Sequence, residues 1–489
     1  MKKTFNSYLI AFTVLLLSSC KKDYLETNPS DQAPTQLVFS TTDGAYVALN
    51  GLYRNQYVAT DVDVFGQKST DLVSDLMGND MVVNSAGYNW FNGEYRYTAQ
   101  LTTVTGDRSD ATWAYYYSLI NAANNILANI DAATGAPADR DNIKGQALAV
   151  RAYSYYYLVN FMQHTYKGNE TKPGVPLYTT PSSEGKARGT VQEVYAQIIT
   201  DLGDAETLLT GKARKHISHI NVNTVQGIRA RVALQMEDYA NAASYANKAR
   251  QGYTPMTASQ YLQGFSSVTN PEWIWGLQVI NDQSSILASF FSHIDVTVYG
   301  YAQAGNMQKK ITKALYDQIP DGDIRKEAFH APGTGPTVDP DYNQNKFRVP
   351  DPSSWAGDYV LMRAAEMYLI EAEALARTGG QEANARAVLE ELVGAREPGY
   401  SAAGLSGTAL VNEVLLQRRI ELWGEGFSLF DIKRLKTGLN RPTGPGNHGS
   451  PNLNPNIVTL ADQDPRFLMR IPQRELDANE SMSIADQNP

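Results

Sequence analysis

The sequence predicts a mainly α-helical body over residues 35–489 with minor β structure, and three observations support this fold class. Apolar residues recur at helical spacing over about 111–250 and 358–423, which predicts paired helices in both segments. Glycine and aromatic residues are concentrated instead in about 58–106 and 265–355, which predicts two irregular, loop-rich portions. The 489 residues are 43% hydrophobic and 19% charged, a composition typical of globular proteins rather than of disordered or polytopic membrane proteins.

The first residues are expected to direct and tether the protein rather than to fold with it. Two lysines precede an apolar stretch too short to span a bilayer, a pattern typical of a signal peptide over 1–19. Cys20 is the only cysteine of the chain, so it has no partner for an intramolecular disulfide. The preceding Leu17-Ser18-Ser19 resembles a bacterial lipobox, which implies that Cys20 is lipidated; an ordinary cleaved signal with an incidental cysteine is the alternative. Residues 20–34 are then a lipidated polar tether.

The helices of the body follow from apolar spacing and from the residues that interrupt it. Breakers at 133–137 separate two helices of the first pair, and the short connection makes these neighbours antiparallel. Gly379-Gly380 is a C-terminal stop for a later helix. In chain order the predicted helices are 43–57, 111–130, 143–161, 190–209, 221–248, 358–377, 381–393 and 408–423.

One segment favours a β-strand. Residues 272–279 alternate in character and carry bulky side chains, so we expect a strand in which Trp273 and Trp275 pack in a small sheet. Trp113, by contrast, is expected within the first helical pair. The β content should be minor.

A spacing of four and then three residues recurs in two helices, each the second of a predicted pair. It joins Ala242, Ala246 and Ala249 in one helix, and Ala385, Leu389 and Leu392 in the other. This step is typical of the second helix of a tetratricopeptide repeat, where small residues let paired helices approach closely. A helical bundle without true repeats remains the alternative, because any amphipathic helix contains such steps by chance.

The charge balance disfavours nucleic acid as a partner. The chain has 42 Lys and Arg against 51 Asp and Glu, a formal charge of −9, and no long run of basic residues. Phosphate neutralisation requires a clustered basic surface. The same deficit of basic surface means that anchoring to a membrane depends on acyl chains rather than on attraction to anionic lipids.

Enzymatic and cofactor motifs are absent from the sequence. It contains no G-x-S-x-G, H-E-x-x-H, Walker or G-x-G-x-x-G motif, and we predict neither a catalytic group nor a cofactor. Of the histidines, only His216 and His219 share a helical face, and a solvated helix start is favoured over a metal site. The carboxylate pairs 371/373 and 421/425 are interpreted as structural helix-surface groups. The acidic run at 339–343 leaves open whether Asp339 and Asp341 hold a structural cation.

Several motifs in fixed order give the chain a resemblance to a known family over essentially its whole length. One departure is Phe427-Ser428, where that family commonly has a basic residue before an aromatic-Asp pair. The motifs are Cys20-Lys21-Lys22-Asp23-Tyr24, Ala122-Ala123-Asn124-Asn125, Arg151-Ala152-Tyr153, Gly174-Val175-Pro176-Leu177, Arg363-Ala364-Ala365-Glu366, Gln417-Arg418-Arg419-Ile420-Glu421-Leu422, Phe430-Asp431-Ile432-Lys433-Arg434, Ile471-Pro472-Gln473-Arg474-Glu475-Leu476 and Gln487-Asn488-Pro489. With them the chain resembles the SusD/RagB family of outer-membrane nutrient-binding lipoproteins.

The resemblance implies a SusD-like fold of tetratricopeptide-type helical pairs with a less regular ligand-binding part. It implies a lipid-anchored, surface-exposed protein that captures polysaccharide or oligosaccharide without catalysis. Its partner would be a SusC-like TonB-dependent outer-membrane transporter, on which it sits as a lid. Three alternatives stay open from the residues: an oligopeptide-capturing lid of the same fold, a tetratricopeptide protein-interaction scaffold, and a hydrolase.

We expect the ligand site on the two irregular portions. Trp90 is predicted to be the stacking platform, helped by Tyr88 and Asn89, with Tyr299 and Tyr301 from a glycine-flanked segment facing it. A sugar ring stacks its C–H face on an aromatic plane, and side-chain amides and charges satisfy its hydroxyls. The alternative for Trp90 is a core residue that anchors its loop.

Overall fold

The computed structural model of the protein describes residues 35–449 and 457–489. The predicted signal peptide over 1–19, the tether over 20–34 and the lipidation site Cys20 lie outside the described residues. The body is mainly helical with minor β structure, which confirms the predicted fold class. Within the described residues, no helix combines the length and the apolar character that crossing a membrane requires.

Helices dominate the chain from its start to its end. Pro137 occupies the first turn of one long helix, where the missing N–H of proline would have no intrahelical partner in any case. In chain order the helices are α1 (Thr35–Val38), α2 (Thr42–Arg54), α3 (Gln67–Leu76), α4 (Asn92–Tyr95), α5 (Arg108–Asn129), α6 (Pro137–Met162), α7 (Val191–Leu209), α8 (Val222–Gln235), α9 (Tyr239–Ala249), α10 (Ala258–Tyr261), α11 (Phe290–Ile294), α12 (Tyr301–Ala304), α13 (Lys313–Tyr316), α14 (Ala364–Ala376), α15 (Glu382–Gly394), α16 (Gly407–Glu421), α17 (Ser428–Leu435) and α18 (Gln473–Ala478).

The strands are short and form antiparallel pairs: β1 with β5, β2 with β3, β4 with β6, and β7 with β8 among the described residues. Their bounds are β1 (Met81–Val83), β2 (Pro173–Pro176), β3 (Arg188–Thr190), β4 (Trp273–Leu277), β5 (Lys309–Ile311), β6 (Tyr359–Arg363), β7 (Leu439–Asn440) and β8 (Thr459–Leu460). Single 3₁₀ turns lie at Ala99–Leu101, Ile130–Ala132, Asn281–Gln283, Ile324–Ala328, Pro465–Phe467 and Ile484–Asp486.

The long helices form a continuous series in which neighbours along the chain pack together. α5 contacts α6, α6 contacts α7, and α8 contacts α9; α9 then packs on α14, which contacts α15 and α16. The residues of the four-then-three spacing on α9 and α15 are all fully buried, as the repeat pattern predicts. Small side chains on these faces let the paired helices approach closely.

The predicted helix over 221–248 is wrong as a single element. The chain forms α8 and α9 instead, with a tight turn between them in which Glu237 has a φ of +59°. The side chain of Asp238 accepts a hydrogen bond from the Asn241 N–H and so caps the start of α9. Apolar residues continue up to this turn and resume after it, because α8 is buried on most sides and α9 buries its alanine face.

The predicted helix over 358–377 is also corrected, because its first residues form a strand. Residues Tyr359–Arg363 are β6, which pairs with β4, and α14 begins only at Ala364. Every residue of β6 is buried, so its apolar run lacks the alternation that marks a half-exposed strand. The predicted strand over 272–279 is confirmed as β4, with Trp273 and Trp275 buried in it.

The portion 58–106 is less irregular than predicted, since it contains the ten-residue helix α3. All ten residues of α3 are buried, including charged and polar ones, so no exposed face reveals a helical period. Lys68 and Asp71 pair within the helix at 3.1 Å. Burial of polar residues is possible there because neighbouring elements supply partners, which local sequence does not disclose.

A buried ion network joins the middle of the chain to its C-terminal helices. At the end of β6, Arg363 Nη1 lies 2.7 Å from Glu272 and 2.6 Å from Glu421, and Nη2 lies 2.8 Å from Glu425. Arg396 pairs with Glu272 at 2.8 Å and with Glu421 at 3.0 Å. Burial raises the pKa of Glu421, but the charges of Arg396 and Arg363 outweigh this effect and hold it well below its usual value. These glutamates are therefore structural, but Glu421 and Glu425 are buried and not on a helix surface as the sequence predicts.

Candidate functional site

Two loops meet at one end of the small β1/β5 ribbon. β1 leads into a loop over 84–91, and a second loop over 298–308, which includes the single-turn helix α12, leads into β5. The strands are antiparallel and Val83 pairs with Lys309, so the end of β1 lies beside the start of β5. Just beyond this pair, Asn84 Nδ2 donates a hydrogen bond of 3.3 Å to Asn306 Oδ1. The two segments that the sequence predicts to face each other are thus adjacent.

Tyr88, Trp90 and Tyr301 pack together at this end of the ribbon, and we call these three side chains the aromatic platform. The ring centroids lie 5.0 Å apart for Tyr88 and Trp90, 4.1 Å for Trp90 and Tyr301, and 5.8 Å for Tyr88 and Tyr301. Tyr88 is 63% exposed, and the other two are half-buried. The platform therefore presents aromatic surface to solvent while its members support one another.

Left-handed backbone conformations shape the loop that carries Tyr88 and Trp90. Gly87 has a φ of +47°, Asn89 of +75° and Phe91 of +59°. A Cβ atom on Gly87 would lie 2.2 Å from Met307 Cγ, so glycine is required where the two loops approach. The exposed Asn89 accepts a 2.6 Å hydrogen bond at Oδ1 from Asn92 Nδ2, which fixes its amide beside the platform.

His293 forms the floor of the platform. Its ring centroid lies 5.0 Å from that of Tyr301 and 6.1 Å from that of Trp90. On other sides it packs on Phe91 at 5.0 Å and on Phe65 at 5.5 Å. The platform thus rests on a fully buried aromatic layer drawn from three parts of the chain.

The floor histidine is neutral. Burial lowers the pKa of His293 well below its usual value, and the nearby charge of Lys309 lowers it further. His293 Nε2 lies 3.0 Å from the Val62 carbonyl oxygen, an arrangement in which the protonated Nε2 donates. Sequence reasoning missed His293. Its only sequence signal is its place in the aromatic loop-rich portion 265–355, because the residues that surround it come from distant segments.

Tyr299 lies outside the aromatic platform. It is 80% exposed and, among the described residues, makes no ring contact with another aromatic side chain. Gly300 separates it from Tyr301 and packs so closely on Trp355 that an added Cβ would lie 2.8 Å from the indole. Five site residues are selected from the sequence. The structure brings the rings of three of them together in the platform, places Asn89 in the loop of Tyr88 and Trp90, and leaves Tyr299 on the nearby surface.

Comparison with solved structures finds proteins that align with nearly the whole chain. It aligns with a SusD-like carbohydrate-binding protein from Bacteroides vulgatus at 32% identity and a TM-score of 0.79, over 91% of this chain and 98% of that one. The chain belongs to the SusD family. The resemblance inferred from the ordered motifs is therefore confirmed.

Further comparisons support the SusD assignment at both ends of the chain. A family model described as starch-binding and associating with the outer membrane matches residues 23–234, and the SusD family model matches 341–489. SusD-like protein P2 of Formosa agariphila is 24% identical over 97% of this chain and 98% of its own length. A laminarin-binding SusD-like protein has the same fold, with a TM-score of 0.69 at 20% identity over 92% of this chain and 99% of that one.

The other candidate groups of this SusD-family chain are engaged in ion pairs and hydrogen bonds. Asp339 pairs with Lys310 at 2.6 Å, and Asp341 accepts a 2.7 Å hydrogen bond from the Gly333 N–H. His219 Nε2 lies 2.8 Å from Asn50 Oδ1. Within residues 35–449 and 457–489, no group of three or more His, Cys, Asp or Glu side chains is arranged to hold a metal ion.

A cavity of about 750 Å³ lies away from the platform, between α16, α17 and the segment 75–81. Four of its ionic groups are already paired: Arg419 with Asp80 at 2.6 Å, and Arg418 with Asp431 at 2.7 Å. The platform, by contrast, offers exposed ring surface and an adjacent amide. The platform is therefore the better candidate for ligand recognition in this SusD-family protein.

Proposed function

We propose that this SusD-family protein is a non-catalytic cell-surface lipoprotein that captures polysaccharide or oligosaccharide and delivers it to a SusC-like TonB-dependent outer-membrane transporter. The observation that carries the proposal is the mutually packed, solvent-facing trio Tyr88, Trp90 and Tyr301. The apolar C–H face of a sugar ring stacks on such rings, and the amide of Asn89 is placed to exchange hydrogen bonds with hydroxyl groups. Tyr299 is an outer contact of the same site.

The N-terminal sequence supports the location. Leu17-Ser18-Ser19-Cys20 matches a lipobox, and lipidation at Cys20 would leave 20–34 as the tether between the acyl chains and the body. More than one acyl chain is needed for stable anchoring, because a single chain binds membranes only reversibly. The family model that matches residues 23–234 is described as associating with the outer membrane, which agrees with this location.

The carboxylates support a binding role rather than hydrolysis. A glycosidase acid requires a raised pKa and access to the scissile oxygen. Burial raises the pKa of Glu425, yet the charges of Arg363 and Lys346 outweigh it and hold this pKa at about 2. Glu421 is also fully buried and ionised among arginines. Neither carboxylate can serve as a general acid in this state.

Affinity electrophoresis tests the capture of glycan. The chain without its first 20 residues is run through gels that contain laminarin or amylopectin, and retardation of the protein shows binding. Calorimetry then measures the affinity. We expect wild type to bind one of them and Trp90→Ala and Tyr88→Ala to lose binding by at least about tenfold, or about 1.4 kcal/mol. Tyr245→Ala, which removes a partly buried ring of α9 outside the platform, is the matched control and should bind as wild type.

Three results would contradict the proposal. Wild type retained by neither polysaccharide, or Trp90→Ala bound as tightly as wild type, would refute capture on the platform. Tight binding of an oligopeptide library without glycan binding would show that the ligand is a peptide and not a glycan. Release of reducing ends from the polysaccharide that retards the protein would refute the absence of catalysis.

Labelling tests the anchor and the partner. Cells expressing the full chain incorporate a clickable palmitate analogue, and we expect the label on wild type and its loss in Cys20→Ala. Purification of the lipidated protein in mild detergent should yield a TonB-dependent transporter, identified by mass spectrometry. An unlabelled wild type would refute lipidation, and recovery without any transporter would refute the delivery role.

A further inference from the structure

A cavity of about 390 Å³ opens on one face of the β1/β5 ribbon. Three of the four ribbon residues that line it share one face, and the fourth, Ile311, belongs to the opposite face. Val82 pairs directly with Lys310 across the two strands, and Asn84 lies two residues beyond Val82, so all three side chains point the same way. The residues of the opposite face, such as Val83 and Lys309, are buried in the core.

The cavity and the platform are continuous along the chain. Tyr88, on the platform, follows Asn84, at the cavity, by only four positions, a span of at most about 14 Å. The second loop makes the same connection, because Asn306 bonds to Asn84 while a Cβ on Gly305 would lie 3.3 Å from the Tyr88 ring. Both loops that carry the platform therefore start at the rim of the cavity.

The walls of the cavity suit hydroxyl groups. Lys310 and Asp339 form an ion pair of 2.6 Å at the wall, and the Asp339 side chain is 44% exposed. Asp341 and Asn447 add further polar groups, and Tyr342 supplies an aromatic wall supported by Tyr316 at a centroid distance of 5.2 Å. Hydrogen bonds from neutral hydroxyls to charged partners are stronger than those between neutral groups.

We propose that this cavity is a second part of the ligand site, which takes further sugar residues of a chain whose first residues stack on the aromatic platform. The inference rests on the proposed capture of glycan. It adds that the protein selects for chain length: a disaccharide fills the platform alone, whereas a longer oligosaccharide reaches the Lys310–Asp339 pair. The ribbon acts as the rigid spacer between the two parts.

Calorimetry with sugars of different length tests this inference. The probes are maltose and maltohexaose, and laminaribiose and laminarihexaose. We expect wild type to bind one hexasaccharide at least about tenfold more tightly than its disaccharide. The double variant Lys310→Met/Asp339→Asn should lose this gain but keep its affinity for the disaccharide, whereas Trp90→Ala should weaken both.

A matched control and a second variant complete the experiment. Lys326→Met/Asp321→Asn removes another Lys–Asp pair of 2.6 Å, away from the site, and should keep the full gain. Asp339→Tyr fills the mouth of the cavity from a partly exposed position and should lose the gain without loss of fold, as checked by thermal unfolding.

The outcomes separate the two proposals. The inference is overturned if wild type binds the disaccharide and the hexasaccharide with equal affinity, or if both cavity variants keep the higher affinity for the hexasaccharide. Capture on the platform would stand in either case. Binding of none of the four sugars by wild type would overturn the capture of these glycans and this inference with it.

Discussion

The indole of Trp90 lies against the phenol ring of Tyr301, with centroids 4.1 Å apart and planes at 54°. The two residues are far apart in the sequence and meet because β1 and β5 pair in antiparallel register. Tyr88 adds a third, more exposed ring. A ligand surface is therefore built by strand pairing, and changes that shift either loop should alter binding without unfolding the helical frame.

Gly87→Ala should weaken glycan binding by at least about tenfold. The added Cβ would lie 2.2 Å from Met307 Cγ, so the loop that carries Tyr88 must move. Gly106→Ala is the control, since Gly106 also has positive φ, at +85°, but nothing within 4 Å of the added atom. Calorimetry measures both variants. Equal binding by the two would show that the contact between the loops does not position the platform.

Tyr299→Ala should reduce glycan affinity less than Trp90→Ala does. Tyr299 is 80% exposed and has no supporting ring among the described residues, so it must be ordered when ligand binds. Ordering a free side chain on binding costs about 0.5–1.5 kcal/mol, which offsets part of its contact. Calorimetric titration of both variants with the same glycan shows which substitution lowers the affinity more. A larger loss of affinity for Tyr299→Ala would contradict the platform as the main contact.

Glu421→Gln should destabilise the fold by about 3–5 kcal/mol. The carboxylate bonds to buried Arg325, Arg363 and Arg396, and its loss leaves buried positive charge uncompensated. The control Glu237→Gln breaks a half-exposed pair with Lys436 and should cost at most about 1 kcal/mol. Chemical denaturation gives both values; similar values would show that the network contributes no more than a surface pair.

Asp75 should make stability fall as pH rises between about 4 and 7. Burial raises its pKa to about 7, although the N–H groups of Gly426 and Ser428 lower it in part. The folded state then holds a proton that the unfolded state has released, so unfolding becomes easier with rising pH, by up to roughly 1.4 kcal/mol per unit. Asp75→Asn should reduce this slope in denaturation series, whereas Asp131→Asn, at an exposed side chain, should not. An unchanged slope in Asp75→Asn would refute the shift.

Ala246→Leu should destabilise the protein by about 1–3 kcal/mol through overpacking. Ala246 is fully buried where α9 packs on its neighbours, so there is no room for a larger side chain. Ala240→Leu, at an exposed position of the same helix, is the control and should have little effect. Thermal unfolding compares the two, and equal stability would contradict close helix approach at this face.

The predictable and unpredictable parts of the fold differ in burial. Helices with one exposed face, such as α5 and α7, follow from apolar spacing, because the period of burial is written in the sequence. α3 and β6 are buried on every side and carry no such period, so the sequence does not predict α3 and predicts helix in place of β6. The sequence does not predict the break between α8 and α9, because apolar residues resume directly after the turn.

By itself, the sequence determined the helical class, the family and the rings that stand in loop-rich segments, since local spacing, ordered motifs and composition all reside in the chain. Only the tertiary structure decided that Trp90 meets Tyr301, that His293 lies beneath them and that Tyr299 stands apart. Such contacts depend on which distant strands pair and in which register. No local pattern encodes that choice, because the partners of a buried side chain are supplied by the rest of the fold.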